Sequence, residues 1–194
     1  MHIDPAHFLV GNNCAASHCN RLLGVPHCTP FAWSFVTTDD FARLADNWYS
    51  IHWEVEPEIR RLEGKEDVYK YYGGEFNDGA DQTYWECVWH DGDGVEYPVL
   101  CPHLDLGIRK GMDAVKRRTG RMLELMAGGA SPHFCLVCDV SSTAKLWSVD
   151  KVREFRKRDD ATVVWYGDTP YLRSEFVAVH SLIPKLEERG IVHA

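Results

Sequence analysis

The chain has 194 residues, 45% of them hydrophobic and 26% charged, ordinary values for one domain that buries a core without disulfides or metals. A formal net charge of −8 argues against a general nucleic-acid binder, which needs a basic footprint against phosphate. No apolar run approaches the ~20 residues of a membrane span, and Met1–His7 lacks a basic stretch followed by an apolar one, so a cytoplasmic protein without membrane association is the default expectation.

In chain order, Phe8-Leu9-Val10 reads as a buried strand entering the turn Gly11-Asn12-Asn13. Cys14 to Leu23 is helix-compatible and stops at Gly24 and Pro26. Phe31 to Val36 reads as a second strand. Thr37-Thr38-Asp39-Asp40 caps a helix running to about Asn47, with Phe41 and Leu44 on its apolar face. Ile51 to Val55 alternates like a strand. The stretch of about 56–98 is acidic, glycine-rich and aromatic, an irregular insertion with room for a hairpin, and too rich in Tyr and Trp for a disordered linker.

Regular order returns with Val99-Leu100-Cys101, a short strand leading to Pro102-His103. Gly111 to Ala127 is a basic amphipathic helix with Met112, Val115, Met122, Leu123 and Met126 facing inward. Phe134 to Val140 and Thr162 to Tyr166 are continuous apolar strands of the kind buried on both faces. Ser148 to Arg158 and Ser181 to Arg189 are helices, and Ile191-Val192 a short edge strand. Strand and helix alternate, which predicts a single α/β domain: a mostly parallel sheet in three layers with helices on both faces, Rossmann-like or GDSL-hydrolase-like.

In open α/β sheets, ligands sit beyond the carboxyl ends of the strands. The turn there is Gly11-Asn12-Asn13-Cys14. A thiol at a helix N-terminus meets backbone N–H donors and the positive end of the helix dipole, which favour thiolate over thiol. Asn13 is a candidate oxyanion donor, and Gly11 and Asn12 shape the ligand site. The plain alternative is a small buried residue at a helix start, since cysteine is among the most buried types.

A thiolate nucleophile needs a base, most often His. His103 is the first candidate, with Asp105 two residues on to orient its ring; His133 and His180 are alternates, and His18 lies one helical turn from Cys14. Asp139 and Asp168 follow the ends of the two later strands, on the rim that carries Cys14 if the sheet is parallel. Arg118 and Arg121 lie three apart on one helix side and suit a phosphate or carboxylate. No metal is expected. Cys135-x-x-Cys138 falls within a strand, where an i, i+3 pair points to opposite faces, and no second knuckle matches it. The seven cysteines, an odd number, read as thiols rather than a disulfide framework. No cofactor is expected either: phosphate-cradling, dinucleotide and Gly-x-Ser-x-Gly signatures are absent.

The segments Phe8-Leu-Val-Gly-Asn-Asn-Cys14, Arg21-Leu-Leu-Gly24 and Thr29-Pro-Phe-Ala-Trp33 resemble the opening of an uncharacterised bacterial family described as papain-like cysteine peptidases. They are also similar to a related family associated with exopolysaccharide biosynthesis. His103, the basic run Lys116–Arg121 and Phe134-Cys-Leu-Val137 resemble the second half of both. The resemblance implies a cysteine-nucleophile hydrolase or acyltransferase acting on an acylated, polysaccharide-related substrate. A papain-like peptidase is the alternative enzyme, and a non-catalytic binder of an anionic or carbohydrate ligand the alternative class. The acid of the family's Pro-Phe-Asp-Trp is Ala32 here, so if that acid orients a base in the family, this protein uses another or has lost that role.

Overall fold

The sequence places its most apolar strands where both faces are covered, and the fold follows that pattern. A computed structural model describes residues 1–32, 34, 36–61, 85–100, 108–139, 148–166 and 181–194. The first half holds β1 (His2–Ile3), β2 (His7–Gly11), α1 (Ala15–Leu22), α2 (Thr38–Asp46) and β3 (Glu58–Arg61). β4 (Trp85–His90), β5 (Glu96–Leu100), α3 (Ile108–Ala127) and β6 (Ser131–Asp139) follow. The chain continues through α4 (Val149–Phe155), β7 (Ala161–Tyr166), a helical segment α5 (181–188) and β8 (Val192–His193).

β2, β6 and β7 form a parallel sheet in that spatial order, with Gly11 opposite Cys135 and Asp139 opposite Tyr166. Side chains alternate between its faces, as the pleat requires. Phe8, Val10, Phe134, Leu136, Ala161 and Val163 join the cluster that holds Phe41 and Leu44 of α2, Met112, Val115 and Met122 of α3, and Phe155 of α4. Leu9, Cys135 and Val164 join a second cluster, with Ala16 and Cys19 of α1 and Leu182 and Leu186 of α5. Burial of both faces explains why these strands read as unbroken apolar runs.

The helix starts are built by their caps. The Thr37 hydroxyl accepts from the Asp40 N–H at 3.2 Å and donates to the Asp40 carboxylate at 2.8 Å, which fixes the first turn of α2. Ser148 accepts from the Lys151 N–H at the start of α4. Arg158 joins these helices to the sheet. Its guanidinium bonds Asp46 and Asp160 and lies over the rings of Phe134 and Phe155, 5.4 and 5.5 Å from their centroids.

The parallel sheet is accompanied, among the described residues, by a separate antiparallel sheet, β3-β4-β5, and by β1 paired antiparallel with β8. The insertion holds regular structure where described. The hairpin anticipated there exists as β4–β5, with Pro98 tolerated on the outer strand β5 and Trp89 and Tyr97 buried in the first cluster. Two expected strands need correction, and the first, Phe31–Val36, is not a strand among its described residues. Ala32 N–H donates to Thr29 O and Ser34 N–H to Phe31 O, so the segment turns, while Phe31 packs among Trp48, Trp53 and Trp89. Its apolar content serves the core without a ladder. Ile51 makes a single bridge to Asp91, so Ile51–Val55 is not a strand either.

Candidate functional site

The turn after β2 is made by the side chain of Asn12. Its backbone N–H donates to Cys135 O at 3.4 Å, continuing the ladder one residue past Gly11. Its carboxamide then pairs both groups of Val137: Nδ2 donates to Val137 O at 3.1 Å, and the Val137 N–H donates to Oδ1 at 2.9 Å. Asn12 O accepts from the Val36 N–H at 2.8 Å, which ties the segment before α2 to the same point. The side chain thus replaces a peptide unit in the sheet, and only 3% of the residue is exposed. The structure commits this carboxamide to β6.

Gly11 does a different job from the tight turn expected of it. A Cβ there would meet the Ala16 Cβ at 2.6 Å, so glycine lets α1 close onto the end of β2. Asn13 is buried, and its Oδ1 accepts from the Ala15 N–H at 2.9 Å, an Asx turn that serves a first-turn amide of α1. Cys14 follows as N-cap in helical conformation (φ −63°, ψ −13°), and its side chain makes no cap bond. The thiol therefore does not perform the cap work that Ser or Asp would. Cys14 is half-buried, whereas Cys19, Cys28, Cys87, Cys135 and Cys138 are buried. It is the most accessible of the described cysteines, at the carboxyl end of β2 and the amino end of α1.

Helical spacing places His18 and Arg21 on the Cys14 side of α1, while Ala15, Ala16, Cys19 and Asn20 face inward. Across from them, α3 contributes Arg118, which donates to Ala32 O at 2.8 Å, and Arg121, which donates to His27 O at 2.9 Å. Both arginines thereby hold the 27–32 segment against α3. Burial holds the His27 imidazole below its ordinary pKa, and the positive charges of Arg118, Arg121, His18 and Arg21 push the same way. Five cationic or protonatable groups thus converge in a chain of net charge −8. Sequence reasoning found Arg118 and Arg121; their convergence with Arg21 and His27 depends on the fold of the 24–32 segment, which carried no readable period.

His133, an alternate base, is excluded from the Cys14 turn by its register. It stands opposite Leu9 on β6, is 1% exposed, bonds Thr162 Oγ1 at 2.8 Å and packs edge-on to His7. His103, Asp105, Asp168 and His180 lie outside the described residues. Asp139 ends β6, and of its side chain nothing is described. Among the described residues no cluster of His, Cys, Asp and Glu suits a metal ion, and no helix is long and apolar enough to cross a membrane. Neither a protein-family model nor a curated protein matches the chain.

Proposed function

We propose that the protein is a cysteine-dependent hydrolase or acyltransferase with Cys14 as nucleophile. The observation that carries this reading is the placement of Cys14, an accessible thiol at the carboxyl end of a parallel strand and the amino end of a helix. The reading takes the parallel sheet and its two flanking clusters as a three-layer, Rossmann-like or GDSL-like arrangement. Cys14 Sγ attacks the acyl carbonyl, the leaving group departs with a proton, and water or an acceptor alcohol cleaves the thioester. Helix amides and Asn13 stabilise the oxyanion, and His103, oriented by Asp105, moves the proton. The basic groups beginning one turn along α1 suit an anionic substrate, including an acidic polysaccharide precursor. The resemblance around Asn12-Asn13-Cys14 supports the same chemistry.

The test is limited alkylation with iodoacetamide across pH 5 to 9, read residue by residue by mass spectrometry, together with turnover of p-nitrophenyl acetate. Cys14 is expected to react first and to carry the acetyl group. Burial pushes Cys28 up to about 11 and Cys19 and Cys138 up to about 12, so these stay silent until the protein unfolds. An alkylation rate for Cys14 no higher than that of an ordinary thiol at neutral pH refutes the nucleophile. The convergent arginines favour a second reading, a non-catalytic binder of an anionic ligand, which predicts anion binding unchanged in Cys14→Ser and no acyl-enzyme.

A further inference from the structure

α1 and α3 pack on opposite faces of the parallel sheet, and half-buried His27 lies on the segment that follows α1. His18 and Arg21 act on its imidazole from α1, Arg118 and Arg121 from α3. Among the described residues no carboxylate acts on it. Most other cations are placed differently: Arg43, Arg60, Lys151, Arg153 and Arg158 each pair with a carboxylate. Arg21 and Arg121 pair with none among the described residues, although Glu124 stands three positions beyond Arg121 on α3. In a chain of net charge −8, cations gathered without acids form a local positive field that suits an outside anion. We propose that these groups are a subsite for a phosphomonoester of the substrate, a tetrahedral dianion, and that His27 takes a proton from solvent as it binds. The inference rests on the anionic-substrate part of the function proposed above and gives that anion its class.

Geometry and charge select that class. A carboxylate is planar and is served by one guanidinium fork. Here the cations come from two helices and from the segment between them, so they approach from several directions, as the corners of a tetrahedral anion require. Two charges on the ligand also offset more of the mutual repulsion of Arg21, Arg118 and Arg121 than one charge does. Without an anion, burial is the main cause that keeps His27 neutral, and the charges of Arg118, Arg121, His18 and Arg21 add to it. A dianion among the arginines reverses the field at the ring and favours the imidazolium, which then adds a further cation to the site. Proton uptake and anion binding therefore reinforce one another. Affinity is highest where the occupied site holds the proton, and it falls as pH rises and that proton is lost.

The experiment is isothermal calorimetry at constant ionic strength with sulfate, a tetrahedral dianion that does not titrate near neutral pH, and with the monoanions methyl sulfate and acetate. Sulfate is expected to bind about tenfold more tightly than either, and methyl phosphate to displace it. Arg21→Gln, at an exposed helix position, should weaken sulfate about tenfold. Heats in two buffers of different ionisation enthalpy should show proton uptake at about pH 6.5, and sulfate affinity should fall as pH rises from about 6 to about 8. His27→Gln, with its circular dichroism unchanged, should lose both effects and keep the binding that the arginines supply. The proposal is overturned if methyl sulfate or acetate binds as tightly as sulfate, if methyl phosphate fails to displace sulfate, or if folded wild type binds no sulfate. A pH dependence that survives in His27→Gln, or is lost in His18→Gln instead, removes His27 from the role. The probes carry no acyl group, so an inert Cys14 beside bound sulfate leaves this subsite standing, and acylation of Cys14 without sulfate binding sinks it.

Discussion

Replacing Asn12 by alanine removes one side chain and orphans two backbone groups. Residues 135 and 137 of β6 turn their peptide groups toward β2, while residue 136 turns toward β7, as alternation in a parallel ladder requires. Without the carboxamide, both the N–H and the C=O of Val137 lose their partners in a region where Val137 is 5% exposed. At about 1–3 kcal/mol for each orphaned group, the expected loss is about 2–6 kcal/mol, a large share of the 5–15 kcal/mol of a typical domain. Urea unfolding followed by tryptophan fluorescence measures it directly. Asn12→Asp sharpens the test. The carboxylate still accepts from the Val137 N–H but opposes the Val137 carbonyl, so the folded state favours the protonated acid and raises its pKa. The regained stability is then fully present below the unfolded value near ~3.9 and is lost as pH rises through the folded one. A loss under about 0.5 kcal/mol for Asn12→Ala, within the range of an ordinary surface change, refutes the assignment of Asn12 as a surrogate peptide group.

Two further outcomes follow from other contacts. Gly11→Ala forces a Cβ to within 2.6 Å of the Ala16 Cβ, so a loss of about 1–3 kcal/mol is expected, and Ala16→Gly should recover part of it; denaturation of all four members of the double-mutant cycle gives the coupling. His133 has its pKa held down to about 4, first by burial and then by the charge of Arg189. The unfolded chain takes that proton near ~6.5, so as pH falls from there toward about 4 the unfolded state binds more protons and stability falls, by about 3 kcal/mol in all. Above that window the contribution is complete. Stability curves for wild type and His133→Gln should therefore diverge at neutral pH and converge toward pH 4, and parallel curves sink the argument.

The parts of the fold legible in the sequence are those whose signals are local. β2, β6 and β7 announce themselves because burial on both faces demands unbroken apolar runs, and α2 because Thr37 and Asp40 form its cap within four residues. The inward face of α3 is also correctly read, with Met112, Val115 and Met122 buried. What failed depends on distant partners. Phe31 is apolar because it packs among Trp48, Trp53 and Trp89, Val36 because it joins the same core cluster, and the turn bonds at Ala32 and Ser34 leave no trace in hydrophobic period. β1 and β8 are two residues each, and only their pairing with one another defines them. At the site, the position of Cys14 was legible from a strand, a glycine and a helix start. The role of Asn12 was not, because its partner lies 125 residues away. The same holds for the clustering around His27, which Arg121 creates from 94 residues downstream.

That separation has a consequence in time. The surface around Cys14 cannot exist until Val137 has been made, since both rungs that hold the turn run to that one residue. β6 and β7 are close in sequence and can pair early, whereas β2 must wait and then close a loop of more than a hundred residues, an entropic cost that slows folding. β2 is thus expected to dock late, with Cys14 as open to oxidants and electrophiles in the growing chain as any thiol in an unfolded peptide. Pulse alkylation during refolding should find protection at Cys138 before protection at Cys19, whose helix is held in place by that last strand.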